Sequence, residues 1–205
     1  MTNNAILLVG PTGSGKTPLG DYLTEKSLNN IKFAHFDFGE HLRNAASKSS
    51  IKGLTSKDIE YIKEVLSAGA LLENETFYIA GTLLDNFIEK NARSGEVIIL
   101  NGLPRHTGQA ENILKKVNIK AVISLECTPQ TVLERIGKNS GGDRTSRVDD
   151  ELTLVKKKLE TFSKRTAPLI EFFSSKNAKI IKLKVESSTQ PDALSEIIAK
   201  ELEQL

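Results

Sequence analysis

The chain has 205 residues, of which 39% are hydrophobic and 26% charged, and its formal net charge at pH 7 is +2. This length suits one domain with its own core, and so small a net charge excludes nucleic acid or a membrane as a partner chosen by overall charge. The single cysteine, Cys127, excludes an intrachain disulfide and fits a reducing compartment. No apolar stretch is long enough to span a membrane, and the first residues lack the pattern of a secretory signal. We therefore expect a cytoplasmic protein.

The first predicted element is a strand that runs into a glycine-rich turn and a helix. The strand is the apolar run Ala5-Ile6-Leu7-Leu8-Val9, which is typical of a parallel strand covered on both faces. The turn is Gly10-Pro11-Thr12-Gly13-Ser14-Gly15-Lys16-Thr17, with two glycines separated by four residues and followed by Lys and Thr. Backbone N–H groups of such a turn converge on one anion, and Lys16 adds a point charge. The segment predicts a nucleotide-binding loop in which Thr17 faces the metal of a nucleoside triphosphate.

The next elements are a strand at residues 31–36 and a helix that begins near 37–43. A polar loop at 47–55 precedes a second helix that carries Ile59, Ile62 and Val65 at helical spacing. Gly69 is placed to end this helix, and a longer helical stretch covers residues 73–92. Residues 38–72 therefore look like an insertion between sheet-building elements.

Three more apolar runs predict strands at residues 96–100, 121–125 and 178–185. Strands that alternate with helices indicate a parallel sheet with helices on both faces. In such sheets, ligands bind beyond the carboxyl ends of the strands. The glycine-rich turn lies at that edge.

A second group of candidate residues is Asn101-Gly102-Leu103-Pro104-Arg105, directly after a predicted strand. An arginine at this end of a strand is placed to face the ligand crevice. A solvent-facing arginine in a surface turn is the alternative, and the local sequence does not decide between them.

A third group surrounds the flexible pair Gly141-Gly142, and its cations are Arg135, Lys138, Arg144 and Arg147. Asp149-Asp150 then suit the first turn of a helix, where acidic residues interact favourably with the helix dipole. That helix is predicted to bury Leu152, Val155, Leu159 and Phe162. Arg147 and Lys158 are eleven residues apart, close to three helical turns, so they could point to the same side. A glycine-containing loop with several cations is suited to closing over a triphosphate and excluding water.

The order of these motifs resembles that of the adenylate kinases. The resemblance covers essentially the whole chain and rests on the glycine-rich turn, Gly39–Arg43, Gly102-Leu103-Pro104-Arg105 with Gln109-Ala110-Glu111, Arg147-Val148-Asp149-Asp150, Lys158-Leu159-Glu160-Thr161-Phe162 and Thr166-Ala167-Pro168-Leu169-Ile170. It implies one P-loop α/β domain over residues 1–205, a three-layer fold with a five-stranded parallel sheet. It also implies a helical monophosphate-binding insertion at 38–72 and a short lid at 139–147, without cysteines for zinc.

The activity that this resemblance implies is reversible phosphoryl transfer from magnesium-ATP to a nucleoside monophosphate, in a protein that is commonly monomeric. Catalytic roles fall on Lys16, Arg105, Arg147 and Lys158. The resemblance assigns ATP binding to Gly10, Thr12, Gly13, Ser14, Gly15, Lys16, Thr17 and Arg135. Of these, Arg135 would pack on the ATP base. It assigns monophosphate binding to Phe38, Gly39, Arg43, Gly102, Arg105 and Gln109. Of these, Gln109 would recognise the accepting base. Magnesium is held through Thr17 and, by way of water, Asn101. The peptide before Pro104 is usually cis in the family.

Two departures from the family pattern concern charge. Asn101 stands where the family has an aspartate that orients the water shell of magnesium, and an amide brings no negative charge to that place. Lys158 stands where a catalytic arginine is expected. Lysine keeps the positive charge but lacks the planar guanidinium group that can donate two parallel hydrogen bonds. Both departures predict a weaker organisation of the transferring group.

Two further departures concern the lid and the acceptor pocket. Asn139 falls where another arginine is usual, for which Lys138 or Arg144 is a possible substitute. Phe38 occupies the position of a threonine that lines the accepting-base pocket. The leading interpretation is a nucleoside monophosphate kinase, most simply for AMP. Its rivals are a kinase for UMP, CMP or another small acceptor, which Phe38 favours, and a catalytically weak nucleotide-binding protein, which Asn101, Asn139 and Lys158 favour.

Overall fold

The computed structural model describes residues 2–91, 95–145 and 151–203, and these ranges contain one parallel sheet. Its strands are β1 Asn3–Val9, β2 Phe33–Asp37, β3 Val97–Asn101, β4 Val117–Glu126 and β5 Lys179–Lys184. They lie in the order β2-β3-β1-β4-β5, and every neighbouring pair is parallel. The predicted α/β fold with a five-stranded parallel sheet is confirmed.

Helices cover both faces of this sheet. They are α1 Lys16–Lys26, α2 Phe38–Ser47, α3 Ser56–Ala68, α4 Phe77–Asn91, α5 Thr107–Leu114, α6 Pro129–Gly137, α7 Leu152–Thr161, α8 Leu169–Ser175 and α9 Pro191–Leu202. A 3-10 turn, Asn74–Thr76, precedes α4, and a π-helical turn, Phe162–Thr166, links α7 to α8. In the part of the chain that the structure describes, no helix combines the length and the apolar character needed to cross a membrane.

Two hydrophobic clusters lie on opposite faces of the sheet. One packs α2, α4, α5 and α8 against it and includes Leu7, while the other packs α1 and α9 and includes Leu8. Successive side chains of a strand point to opposite faces. The continuous apolar run of β1 therefore supplies both clusters, which explains why this strand is apolar at nearly every position.

Some predicted boundaries differ from the structure. β4 begins at Val117 rather than Ala121, because its first residues alternate between buried and exposed and still pair with β1. β2 extends to Asp37, which is also the N-cap of α2. The predicted burial of Leu152 is wrong: the side chain is 52% exposed, whereas Val155 is buried. Leu159 and Phe162 are partly buried.

Residues 38–72 form α2 and α3 and the segment after them. A capping box between Thr55 and Asp58 starts α3, and Gly69 ends it in the left-handed conformation at φ 59°. The N–H of Ala70 also donates to the carbonyl oxygen of Val65 at 3.0 Å. These local signals fix both ends of α3, as the sequence predicts for its C-terminus.

Candidate active site

A cavity of about 220 Å³ lies at the carboxyl ends of β1, β2 and β3. The glycine-rich turn borders one side, and α2 with the end of α3 borders the other. Among the predicted site residues, those that line the cavity are Gly10, Thr12, Gly13, Gly15, Lys16, Thr17, Gly39, Arg43, Asn101, Gly102, Arg105, Arg135 and Lys158. Ser14, Phe38 and Gln109 are buried and do not line it. Arg147 lies outside the described residues.

The glycine-rich turn has the backbone shape that an anion site requires. Gly13 and Gly15 have φ angles of 77° and 93°, in the region that favours glycine. Lys16 arches back over the turn, and its Nζ donates to the carbonyl oxygens of Gly10 and Pro11 at 2.7 and 2.8 Å. The ammonium group is therefore held against the first residues of the turn, although Lys16 itself is the first residue of α1.

Three polar side chains meet where β2, β3 and α1 converge. Asp37 and Asn101 are register partners on β2 and β3. Thr17 Oγ1 donates to Asp37 Oδ2 at 2.5 Å, and Asn101 Nδ2 donates to the same oxygen at 2.9 Å and to Thr17 Oγ1 at 3.1 Å. These three contacts form a connected cluster that opens on the cavity.

The Asp37 carboxylate is nearly buried yet favours its charged form. Burial opposes ionisation, but hydrogen bonds from the Thr17 hydroxyl and the Glu40 N–H lower the pKa of Asp37 below its usual value. Sequence reasoning missed this residue as a site residue. The signal that could have found it is its place directly after an apolar strand, at the same sheet edge as Asn101.

The opposite side of the cavity brings two arginines together around Gly39. A Cβ at Gly39 would lie 3.3 Å from Arg43 Nη1 and 3.8 Å from Arg105 Nη2. Arg105 Nε donates to the carbonyl oxygen of Gly102 at 3.0 Å, and its guanidinium lies 5.7 Å from the centre of the Phe38 ring. The Leu103–Pro104 peptide is cis, as the resemblance implies. Two guanidinium groups with a side-chain-free backbone between them make a site for a doubly charged anion.

Gln109 is fully buried behind this arginine pair. Its Oε1 accepts from the backbone N–H of Arg105 at 2.9 Å, and its Nε2 donates to the carbonyl oxygen of Leu72 at 2.8 Å. His106 Nε2 lies 3.2 Å from the same carbonyl oxygen. In this structure Gln109 thus holds the turn that carries Arg105 rather than facing the cavity.

Arg135 extends from α6 beneath the glycine-rich turn and is 4% exposed. Its Nε donates to the carbonyl oxygen of Gly13 at 3.1 Å. Its Nη1 lies within hydrogen-bond distance of three carbonyl oxygens after β5, those of Glu186, Ser187 and Thr189, at 2.8, 3.4 and 2.9 Å. Burial lowers the pKa of Arg135, and the four carbonyl groups compensate this charge. The residue ties the glycine-rich turn to the segment between β5 and α9.

The described part of the predicted lid, residues 139–145, is a tight turn organised by Asn139. This residue has φ 47°, and its Oδ1 accepts from the N–H of Arg144 at 3.1 Å. The guanidinium of Arg144 lines the cavity, with Nη2 3.5 Å from Thr12 Oγ1, whereas Lys138 is exposed and does not line it. Of the two substitutes that the sequence offers for the missing arginine, Arg144 lines the cavity and Lys138 does not.

Two interpretations from the sequence fall partly on residues 146–150, outside the described residues. They are the capping role of Asp149-Asp150 and the shared side of Arg147 and Lys158. Lys158 itself lines the cavity, so one cation of that pair reaches the site.

The comparisons with known proteins agree with this geometry. A family model described as Adenylate kinase matches residues 8–178. The chain is 30% identical to a protein named Uridylate kinase from Schizosaccharomyces pombe, over 98% of this chain and 97% of that protein. It is 31% identical to a protein named Adenylate kinase from Beijerinckia indica subsp. indica, over 83% and 86% of the two chains. It is 28% identical to Adenylate kinase isoenzyme 1 of Homo sapiens, over 89% and 87%.

The family match begins in β1 and ends just before β5, so it includes the glycine-rich turn, the arginine pair and the turn organised by Asn139. The Schizosaccharomyces pombe relative extends the similarity to nearly the whole chain. This chain is a member of the adenylate kinase family.

Proposed function

We propose that the chain transfers the γ-phosphoryl group of ATP to a nucleoside monophosphate, most simply in the reaction ATP + AMP = 2 ADP. The observation that carries the proposal is that Lys16 and the pair Arg43 and Arg105 line one cavity from opposite sides. A donor triphosphate on the glycine-rich turn and an acceptor phosphate on the arginines would meet between them. Several relatives that match most of the chain are named adenylate kinase, which supports AMP as the acceptor.

The donor half of the site is built from backbone N–H groups and cations. The N–H groups of the turn and of the first residues of α1 point toward bound phosphates, and Lys16 would exchange the carbonyl oxygens of Gly10 and Pro11 for phosphate oxygens. Arg144 would neutralise charge from the lid side. The predicted contact of Arg135 with the ATP base would come from a guanidinium already fixed beneath the turn.

The transfer itself would be an in-line displacement. A phosphate oxygen of the monophosphate bonds to the γ-phosphorus of ATP, and the bond to the bridging β–γ oxygen breaks, leaving ADP on both sides. Charge spreads over the oxygens of the transferring group, so positioning and neutralisation provide the rate acceleration. We assign this role to Lys16, Arg105, Arg147 and Lys158.

Magnesium would accompany ATP and neutralise the charge on its phosphate oxygens. The residues at the convergence of β2, β3 and α1 fit a hard cation, because they offer a hydroxyl, a carboxylate and an amide. Thr17 would serve the ion directly and Asn101 through water. Within the described ranges, no group of three or more His, Cys, Asp and Glu residues could hold a metal by itself.

Two further parts of the proposal follow from the arrangement around the cavity. Residues 38–72 would act as the monophosphate-binding insertion, since Arg43 on α2 lines the acceptor side. Residues 139–147 would act as the short lid. We propose a monomeric protein that works in the cytoplasm on ATP and a nucleoside monophosphate, with neither nucleic acid nor a membrane as a partner.

A kinase for UMP or CMP is the second candidate. Phe38 favours it, because a phenylalanine fills the position beneath Arg105 where the family has a threonine, and one relative over nearly the full length is named Uridylate kinase. A catalytically weak nucleotide-binding protein is the third, and Asn101 and Lys158 favour it.

A coupled assay separates these candidates. ATP is presented with AMP, UMP, CMP or GMP, and ADP formation is followed for the purified chain and for a Lys16→Ala preparation made in the same way. We expect turnover with AMP that the Lys16→Ala preparation lacks. Turnover with UMP or CMP alone would establish the second candidate. Measurable ATP binding without turnover on any acceptor would rule out the kinase proposal.

A further inference from the structure

The cavity wall carries two acidic side chains among the described residues, Asp37 and Asp143. Asp143 belongs to the turn at 139–145, on the lid side. Asp37 instead ends β2, with its carboxylate against the hydroxyl of Thr17, the residue after the nucleotide-loop lysine. Asp37 is therefore the acid that lies where the phosphates and their metal ion would be bound.

The two oxygens of Asp37 have separate partners. Oδ1 accepts from the Glu40 N–H at 3.0 Å and caps α2. Oδ2 accepts from Thr17 and Asn101. Capping requires one oxygen and no charge, since Asn and Ser cap helices as well as Asp does. A carboxylate that is 7% exposed is costly to bury, so the cap alone does not explain why this residue is charged.

The position of the charge relative to Asn101 is the second observation. Asp37 and Asn101 are opposite each other on adjacent parallel strands, which are about 4.8 Å apart. The resemblance led us to expect a carboxylate at position 101, where this chain has an amide. The amide instead donates to Asp37 and orients its carboxylate toward Thr17.

We propose that Asp37 supplies the negative charge that orients the hydrated magnesium ion of bound ATP, with Asn101 and Thr17 holding its carboxylate in place. This inference rests on the proposed function, because it concerns the metal of the donor nucleotide. Asp37 is thereby a positioning residue, and it offsets the loss of charge at position 101. The carboxylate is thereby displaced by one strand, from the end of β3 to the end of β2.

The experiment measures metal binding without chemistry. A non-hydrolysable ATP analogue is bound to the protein, and Mn²⁺ or Mg²⁺ is titrated into the complex, with free Mn²⁺ followed by electron paramagnetic resonance. The variants are Asp37→Asn, Asn101→Asp and the exchange Asp37→Asn/Asn101→Asp. Asp37→Asn keeps the cap and the size of the side chain while removing the charge. Asp85→Asn, an exposed residue of α4, is the matched control.

We expect Asp37→Asn to weaken metal affinity by about 10- to 100-fold, the range for groups that orient a metal's ligands, while affinity for the metal-free analogue stays equal or rises. The exchange variant is expected to recover most of the loss, and Asp85→Asn to match the wild type. Unfolding temperatures confirm that each variant is folded.

Unchanged metal affinity in folded Asp37→Asn would overturn the inference. So would failure of the exchange variant to recover, because the carboxylate would then act through the fold rather than as a charge. This metal titration and the coupled assay of the proposed function can fail independently of each other. Wild-type protein that binds metal with the analogue but transfers no phosphoryl group would contradict the kinase activity and leave the role of Asp37 intact.

Discussion

The side chain of Gln109 is hydrogen-bonded to the backbone of Leu72, with Nε2 donating to the carbonyl oxygen at 2.8 Å. Its other end accepts from the N–H of Arg105. One buried amide thus joins the segment after α3 to the turn that carries Arg105. The position of Arg105 depends on this link, although Gln109 does not line the cavity.

Replacing Gln109 by Ala removes the hydrogen-bond partner of the Arg105 N–H and leaves the carbonyl oxygen of Leu72 with His106 alone. We expect a loss of about 1–3 kcal/mol in the free energy of unfolding, and a rise in KM that is proportionally equal for AMP and UMP. Denaturant unfolding and steady-state kinetics measure both effects. Gln130→Ala, on the exposed side of α6, is the control and should change neither. A changed preference between AMP and UMP at unaltered stability would instead show that Gln109 reads the base.

Replacing Arg135 by Ala removes the donor that serves Gly13 and the segment after β5. The expected cost is about 3 kcal/mol in the free energy of unfolding, together with a raised KM for ATP and an unchanged KM for the monophosphate. Arg135→Lys should recover only part of this, because one ammonium cannot span both sets of carbonyl groups.

The control for Arg135 is Arg165→Ala. Arg165 makes a bidentate but exposed pair with Glu73 at 2.6 and 2.7 Å, which is worth about 1 kcal/mol or less. Equal losses in Arg135→Ala and Arg165→Ala would contradict the structural role. If Arg135→Ala weakened ATP binding but kept the stability of the wild type, Arg135 would act only by stacking on the ATP base.

The cations of the two cavity walls are expected to dominate the rate. Lys16→Ala and Arg105→Ala should each lower kcat/KM by at least about 10²-fold, because each removes a charge that faces a phosphate. Lys138→Ala removes an exposed lysine at the end of α6 and serves as the control. Near-normal turnover in either of the first two variants would mean that the phosphates bind elsewhere.

Close contact between the lid turn and α1 predicts a steric effect. A Cβ at Gly141 would lie 2.7 Å from Cγ of Pro18 and 2.8 Å from Oδ1 of Asp143. We expect Gly141→Ala to displace the turn and raise the KM for ATP several-fold. At Gly137 a Cβ would meet nothing within 4 Å, so Gly137→Ala is the control. Identical ATP kinetics in both variants would argue against a lid that rests on α1.

The capping box of α3 predicts a dependence of stability on pH. A hydrogen bond from the Tyr78 hydroxyl, followed by one from the Thr55 N–H, lowers the pKa of Asp58 below its ordinary value. The contribution of these bonds to stability is therefore present above about pH 4 and is lost as the pH falls through the lower pKa of the folded state. Asp58→Asn should be less stable than the wild type at pH 7, with a difference that shrinks below pH 4. Glu196→Gln, an exposed residue of α9, is the control, and a difference that is constant with pH would contradict the prediction.

The sequence predicts the sheet well because parallel strands are buried on both faces. Their apolar runs are visible without any knowledge of pairing, and the glycine-rich turn lies directly after the first of them. The residues that line the cavity after β1 and β3 follow from the same logic, since the carboxyl ends of parallel strands share one edge. Local sequence patterns do not indicate which side chains of neighbouring strands contact each other.

Asp37 and Arg135 illustrate that limit. Asp37 lies 64 residues from Asn101 in sequence, and their contact depends on the register between β2 and β3. Arg135 donates to carbonyl groups that lie 51–54 residues later and 122 residues earlier in the sequence. The wrong prediction for Leu152 has another cause: its helical spacing to Val155 is right, but Leu152 is the first residue of α7 and its side chain is exposed.

The pairing of Asp37 with Asn101 constrains how related sequences can change. A lineage that exchanged the two residues one substitution at a time would pass through an intermediate with two adjacent carboxylates or with none. In the first intermediate the two carboxylates repel each other until a cation is bound, and the second has no carboxylate at either position. Positions 37 and 101 are therefore expected to be inherited as a unit, and a survey that scores position 101 alone would misclassify chains like this one as inactive.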